Sequence, residues 1–265
     1  MQIPLARIGP IQKVDIERSS GVVLFDDFAR ICTVVKKRRS YDFRGDFAPY
    51  RMAVMFGGSW KSYNHHFIVQ VAGCRLRCPY CYVDNLKTDC NFNADDLVEK
   101  FISFKAMARQ KLRVDVNVFH FMGGMPGKYP EFWLELRESL DKHGLKKVIL
   151  FSDVVLLEDH FFKNSPWNYL YNLQLHHFVL TGCLKGTNPK NFKENTGFDL
   201  FEESLVELDH YSRRHQFYLT LIGFEQKDLS FLWKIIPEPM VDFLTIVNYE
   251  VTRSRKNLSA KNPAC

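Results

Sequence analysis

An α/β fold with a parallel sheet is predicted by two features of this chain. Between residues 62 and 250, short β-branched and aromatic runs alternate with helical patterns, and the helical segments carry recognisable start and stop signals. The runs read as strands are 66–72, 115–121, 147–151, 176–180, 216–222 and 242–247. Parallel neighbours of this kind need a crossover between them, which the intervening helices supply.

Each helix has its punctuation. Asn93, with Asp95 and Asp96 in the first turn, opens one that runs to about Gln110. Pro130 opens a second, and Gly144 lies just past its end. Ser165-Pro166 starts a third, Phe198 or Asp199 begins a fourth that runs through His210, and Asp228-Leu229-Ser230 begins a fifth that Pro237 stops. Residues 1–61 read differently: Val22-Val23-Leu24-Phe25 and Ile31-Cys32-Thr33-Val34-Val35 suggest a β-rich N-terminal extension that caps the main unit, residues 62–250. Residues 251–265 form a basic C-terminal tail.

Composition narrows the class. At 265 residues, with 46% hydrophobic and 25% charged, the chain reads as a globular protein able to bury a substantial core. No apolar run approaches the roughly 18 residues of a membrane span, and Met1-Gln2-Ile3-Pro4-Leu5-Ala6-Arg7 lacks a signal-peptide core, so a cytoplasmic protein is expected. The charge of +6 permits an acidic partner. Lys36-Lys37-Arg38-Arg39 and Arg253-Ser254-Arg255-Lys256 read as solvated surface and tail, and no nucleic-acid-binding motif accompanies them.

The chemistry lies in Gly73-Cys74-Arg75-Leu76-Arg77-Cys78-Pro79-Tyr80-Cys81-Tyr82, directly after the first strand of the main unit. Three thiolates in one tight loop can hold three irons of a cubane cluster and leave the fourth open to a ligand. Zinc is the competing reading. It needs a fourth Cys or His, for which His65, His66 and Cys90 are nearby, yet no second short knuckle follows. The remaining cysteines, Cys32, Cys90, Cys183 and Cys265, show no pairing logic, which fits a reducing compartment and provides no second cluster set.

The spacing C-x3-C-x2-C, with an aromatic before the third cysteine, resembles the signature of the radical S-adenosylmethionine (radical SAM) superfamily. The resemblance implies a partial (β/α)6 barrel, a [4Fe-4S] cluster on Cys74, Cys78 and Cys81, and SAM chelated at the open iron. It also implies cleavage of SAM to a 5′-deoxyadenosyl radical that abstracts hydrogen from a substrate. In parallel α/β folds, ligands gather at the carboxyl ends of strands, and the further motifs fall there.

Phe121-Met122-Gly123-Gly124-Met125-Pro126-Gly127 follows the second strand and resembles the family's GGEP element, whose backbone binds the SAM amino group. Met125 stands where that element is acidic, so the implied contact is a backbone one. The same glycines would also serve a plain strand-to-helix turn. Ser152 and Asp153 end the third strand and could reach the ribose hydroxyls or SAM carboxylate, or cap local backbone.

Thr181-Gly182-Cys183-Leu184-Lys185-Gly186-Thr187, with Thr196-Gly197 following, is similar to the fourth-strand segment of glycyl-radical-enzyme activases, where an Asp-x-Lys element occurs. Cys183 stands at the Asp position and Lys185 keeps the lysine, on the same face by alternation. Lys185 is thereby expected to neutralise the SAM carboxylate. Cys183 is expected either to be structural or to donate a hydrogen atom. Tyr80 is expected near the adenine, and Thr245, Asn248, Tyr249 and Glu225 are rim positions open to adenine or substrate. In His65-His66 and His176-His177 neighbouring side chains face opposite ways, so each pair reads as one core and one surface histidine.

The implied function is an oxidoreductase-type SAM radical enzyme acting on a small molecule or peptide, reduced by a donor such as flavodoxin or ferredoxin. One alternative is an activase for a partner glycyl radical enzyme. An alternative of another class is a non-catalytic zinc or iron-sulfur module that binds nucleic acid.

Overall fold

In the computed structural model, residues 1–9, 22–33, 47–76, 78, 81, 83, 90–162, 177–212, 217–222 and 244–247 are described. In chain order the elements begin with strands β1 (Ile3–Pro4), β2 (Val22–Leu24) and β3 (Ala29–Thr33) and helix α1 (Phe47–Phe56). A 3₁₀ turn (Trp60–Tyr63) leads into β4 (His65–Gln70), followed by β5 (Asn91–Phe92), α2 (Ala94–Met107), a π-turn (Ala108–Leu112) and β6 (Val118–Met122). A short 3₁₀ turn (Pro126–Lys128) precedes α3 (Pro130–Lys142), then β7 (Ile149–Val155), α4 (Glu158–Phe161) and β8 (Phe178–Leu184). Helices α5 (Pro189–Thr196) and α6 (Phe201–Ser212) and strands β9 (Phe217–Ile222) and β10 (Leu244–Val247) complete the described fold.

One eight-stranded sheet carries the molecule, ordered β10-β9-β8-β7-β6-β4-β3-β2. From β4 to β10 every pairing is parallel and the strands follow chain order, the arrangement that successive βα units produce. All six strands read from the sequence are present. Two of them run further than their apolar residues suggested: β7 continues through Ser152-Asp153 to Val155 and β8 through Thr181-Gly182-Cys183 to Leu184. Each is paired on both sides, so the ladder holds the polar and small residues extended.

The N-terminal extension joins this sheet: β2 pairs with β3 and β3 with β4, both antiparallel. Helix α2 opens on a capping box, with Asn93 accepting from the Asp96 amide at 2.8 Å and Asp96 accepting from the Asn93 amide. Pro130 stands at the start of α3 as read. Helix α5 is not among the helices read from the sequence, although Asn188 caps it, Pro189 is its first residue and Gly197 ends it with φ +82°. The helices expected from Ser165-Pro166 and from Asp228 fall outside the described residues, as do both basic runs.

Alternation divides each strand between two buried layers. Phe67, Val69, Phe119, Phe121, Leu150 and Phe178 face α2 and α3, where Phe67 meets Phe101, Phe104 and Phe119 at ring separations of 4.8–5.4 Å. On the opposite, inner face, Val118, Ile149, Phe151 and Val179 pack against Met52 of α1 and Tyr63. Helix α1 thus plugs the inner face near the strand starts and leaves the carboxyl ends for polar groups. Among the described residues no helix is long and apolar enough to cross a membrane.

Candidate active site

The cysteine loop leaves β4 at the carboxyl edge of the sheet, and both of its ends are tied by the first residues of the chain. On the near side, Leu5 bridges Val71, the Ala6 amide donates to Gln70 at 2.8 Å, and the Ala72 amide donates to Pro4 at 2.9 Å. On the far side, β1 pairs with β5 and the Leu5 amide donates to Cys90 at 3.1 Å. Ile3, Leu5 and Ala6 are buried, so this strap is part of the core.

Cys74, Cys78, Cys81, Cys90 and Cys183 are thiols outside any disulfide. Cys78 is buried, and Cys74 and Cys81 are half-buried. The Leu76 amide points at Cys74 Sγ from 3.4 Å, and the Cys81 amide closes a turn on the Cys78 carbonyl at 3.1 Å. Burial pushes the Cys74 thiol up to about 12; the Leu76 amide and Lys185 work against that, while Cys78 and Cys81 add to it. In a cubane each thiolate takes its own iron, and the three cysteines of this loop are the residues that would supply that donor set. Among the described residues no group of three His, Cys, Asp or Glu side chains, the three cysteines of the loop included, is placed to hold a metal ion.

The glycine element after β6 sits directly beneath this loop. Gly124 has φ +53°, and a β-carbon on it would lie 2.4 Å from the Val71 carbonyl oxygen and 3.3 Å from that of Ala72. Only glycine allows this approach. Met125 points into the main core and is fully buried, as Pro126 is buried beside it, so this element offers backbone to the site.

From the fourth parallel strand, Cys183 and Lys185 arrive at the same edge. Cys183 is buried and pushed up to about 12 by burial, with Lys185 acting against that shift and Asp153, Glu158 and Cys78 reinforcing it. The cysteine loop and the fourth-strand element therefore lie near each other at this edge. Lys185 is aimed by its backbone: the Asn195 side chain donates to its carbonyl at 2.6 Å, and a β-carbon on Gly186 would lie 2.5 Å from the backbone of Phe192 in α5. Thr196 closes that helix by donating to Phe192 at 2.8 Å and accepting from the Phe198 amide. Here the Thr-Gly pair is a helix end.

The third-strand pair separates. Ser152 is fully buried on the helix-covered side with Leu150 and Val154, its hydroxyl 3.3 Å from the Asp153 carbonyl. Asp153 lies on the inner face, with Oδ1 3.3 Å from His120 Nε2. Thr245 lies in β10, opposite Thr220 of β9. Tyr80, Glu225, Asn248 and Tyr249 fall outside the described residues.

Sequence reading missed His120 and the partnership of His66. His66 Nδ1 is 3.4 Å from His120 Nδ1, and His66 Nε2 is 2.9 Å from the Tyr63 carbonyl. Burial, reinforced by His120, lowers His66 to about 3, so its ring is neutral. The signal was available: His66, Ile68 and Gln70 alternate onto one face of β4 and His120 onto the same face of its neighbour, β6.

The sequence matches no family model and no curated protein. Six parallel strands stand in chain order, with the cysteine loop after the first and the glycine and lysine elements after the second and fourth, and this fold is shared with solved structures. Among solved structures the chain is similar to one of TYW1 with a lysine-pyruvate adduct bound, at 13% identity and a TM-score of 0.50, covering 93% of this chain and 83% of that one. It is also similar to archaeal TYW1 (13% identity, TM-score 0.44, 84% of this chain and 76% of that one). Streptococcus suis SuiB bound to S-adenosylmethionine aligns at 18% identity and a TM-score of 0.44 over 69% of this chain, which spans 40% of SuiB.

Proposed function

We propose that this chain is a radical SAM enzyme acting on a small molecule or peptide. The observation that carries this reading is the arrangement at the carboxyl edge of the sheet: the C-x3-C-x2-C loop follows β4, Gly124 is pressed against the end of that strand, and the Cys183–Lys185 element arrives from β8. Cys74, Cys78 and Cys81 would hold a [4Fe-4S] cluster, and the backbone of Gly123, Gly124, Met125 and Pro126 would receive the SAM amino group. Lys185 would neutralise its carboxylate. When bound, the reduced cluster supplies the electron that cleaves SAM to the 5′-deoxyadenosyl radical, which abstracts hydrogen from substrate.

This chain's own contribution is placement. The strap of Ile3–Ala6 fixes the loop ends, Asn195 and Gly186 fix Lys185, and the apolar plug of Met52 and Phe151 keeps water from the inner face below. A reduced flavodoxin or ferredoxin would deliver the electron, in a cytoplasmic setting.

Anaerobic reconstitution tests the reading. The expected result is a brown protein with iron and sulfide in cubane proportion that forms 5′-deoxyadenosine from SAM on reduction, and Cys78→Ala abolishes both properties. A colourless protein holding stoichiometric zinc, with no SAM cleavage, would overturn it.

A further inference from the structure

Three polar side chains cross the inner faces of three neighbouring strands: His66 on β4, His120 on β6 and Asp153 on β7. Their hydrogen bonds have a direction. The Tyr63 carbonyl can only accept, so His66 Nε2 carries the proton that reaches it at 2.9 Å, and His66 Nδ1 is left as an acceptor. His120 Nδ1 must then donate to His66. Its other nitrogen, Nε2, faces the carboxylate of Asp153, which is a second acceptor. Satisfying both contacts requires protons on both nitrogens of His120. The chain ends on a carbonyl that cannot pass a proton onward, so it orients and does not conduct.

The far end is different. Asp153 is more exposed than its partner, 26% against 11% of side-chain surface, and its Oδ2 makes no hydrogen bond among the described residues. Below the chain lies the apolar plug of Phe151, Val118 and Met52, and His120 rests on Phe151 at a ring separation of 4.3 Å. Above it lie Cys183 and Lys185, Cys183 sensing both Lys185 and Asp153. The other charged or titratable groups around the chain are His65, next to His66 but on the opposite face of β4, Tyr63 on the turn, and Arg30 of β3, whose guanidinium lies 3.1 Å from Met122 Sδ.

We propose that His120 is a positioning residue, donating from Nδ1 to His66 and from Nε2 to Asp153, and that the second of these bonds fixes Asp153 Oδ2 as the oxygen that receives a hydroxyl or ammonium donor of the substrate. This rests on reading the inner face as the reaction chamber, and it adds a specificity: the substrate carries a hydrogen-bond donor, and an anionic group at that point is excluded.

The test uses the full, cluster-loaded chain with ¹⁵N-labelled histidine and ¹³C-labelled aspartate. At neutral pH, long-range ¹H–¹⁵N spectra should show His66 with one proton, at Nε2, and His120 with protons on both nitrogens; Asp153→Asn should remove one from His120. A singly protonated wild-type His120 would overturn the proposal, and this needs no variant that folds. Ethylammonium and ethylene glycol then serve as probes, read at the Asp153 carboxylate carbon. Saturable binding of either, weakened about tenfold in His120→Gln, is expected. No response to either probe, or equal affinity in His120→Gln, would count against it. A chain that failed to cleave SAM would sink the enzyme reading and leave the imidazole signature intact.

Discussion

The β-carbon position of Gly124 lies 2.4 Å from the carbonyl oxygen of Val71, closer than any side-chain carbon can approach. Gly124→Ala must therefore push the glycine element away from the end of β4, in addition to straining a residue with φ +53°. The expected outcome is a loss of about 1–3 kcal/mol in stability and at least tenfold weaker SAM binding, with the cluster retained. Equilibrium dialysis against labelled SAM and a thermal melt measure the two effects separately.

Lys185, its carbonyl anchored by the Asn195 side chain at 2.6 Å, is the residue proposed for the SAM carboxylate. Lys185→Met should weaken SAM binding by roughly ten- to a hundredfold, a charge-assisted hydrogen bond lost. Lys185→Arg should recover part of it. Unchanged affinity in Lys185→Met would remove the residue from the site.

On the proposed reading, the strap makes Leu5 a determinant of cluster retention. Leu5 is fully buried and bonded to both ends of the cysteine loop. Leu5→Ala should cost about 2–4 kcal/mol, and iron should pass faster to an external chelator at a temperature where the protein is still folded. Iron release at the wild-type rate would show that the strap serves the core alone.

His66 gives the fold an acid limit. Its folded-state pKa is lowered from 6.5 to about 3, so the stability it confers is complete above pH 6.5 and is lost as pH falls towards 3, where the unfolded chain binds a proton that the folded chain refuses. Urea unfolding across that window should show stability declining with acidity, and a flatter decline in His66→Phe. Equal slopes would assign the acid sensitivity to other groups.

Helix α5 supports Lys185 from beneath, so its cap matters to the site. Asn188 accepts from the Asn191 amide at 2.9 Å, and Asn188→Ala should cost about 1 kcal/mol. Gly186→Ala, with backbone atoms of Phe192 at 2.5 Å from the added carbon, should cost more and also weaken SAM binding, which calorimetry can follow.

The sheet was legible because its strands are written in β-branched and aromatic runs, and the cysteine loop because its spacing is local. The ends of β7 and β8 were not, since Ser152-Asp153 and Thr181-Gly182 look like exits when the pairing partners that hold them extended are far away in sequence. Helix α5 was hidden in the same way, although Asn188-Pro189 and Gly197 were its cap signals. The inner-face chain was the least legible feature. His66, His120 and Asp153 stand far apart in sequence and become neighbours only through the register that aligns Ile68 with His120 and His120 with Phe151.

Because the strap of Ile3–Ala6 holds both ends of the cysteine loop through backbone bonds and buried aliphatic side chains, the frame of the loop does not depend on iron. On the proposed reading, a cluster destroyed by oxygen would leave the two ends of the loop held where they were. Damage would then be a matter of maintenance: new iron and sulfide could be installed in the existing chain, and the protein need not be made again.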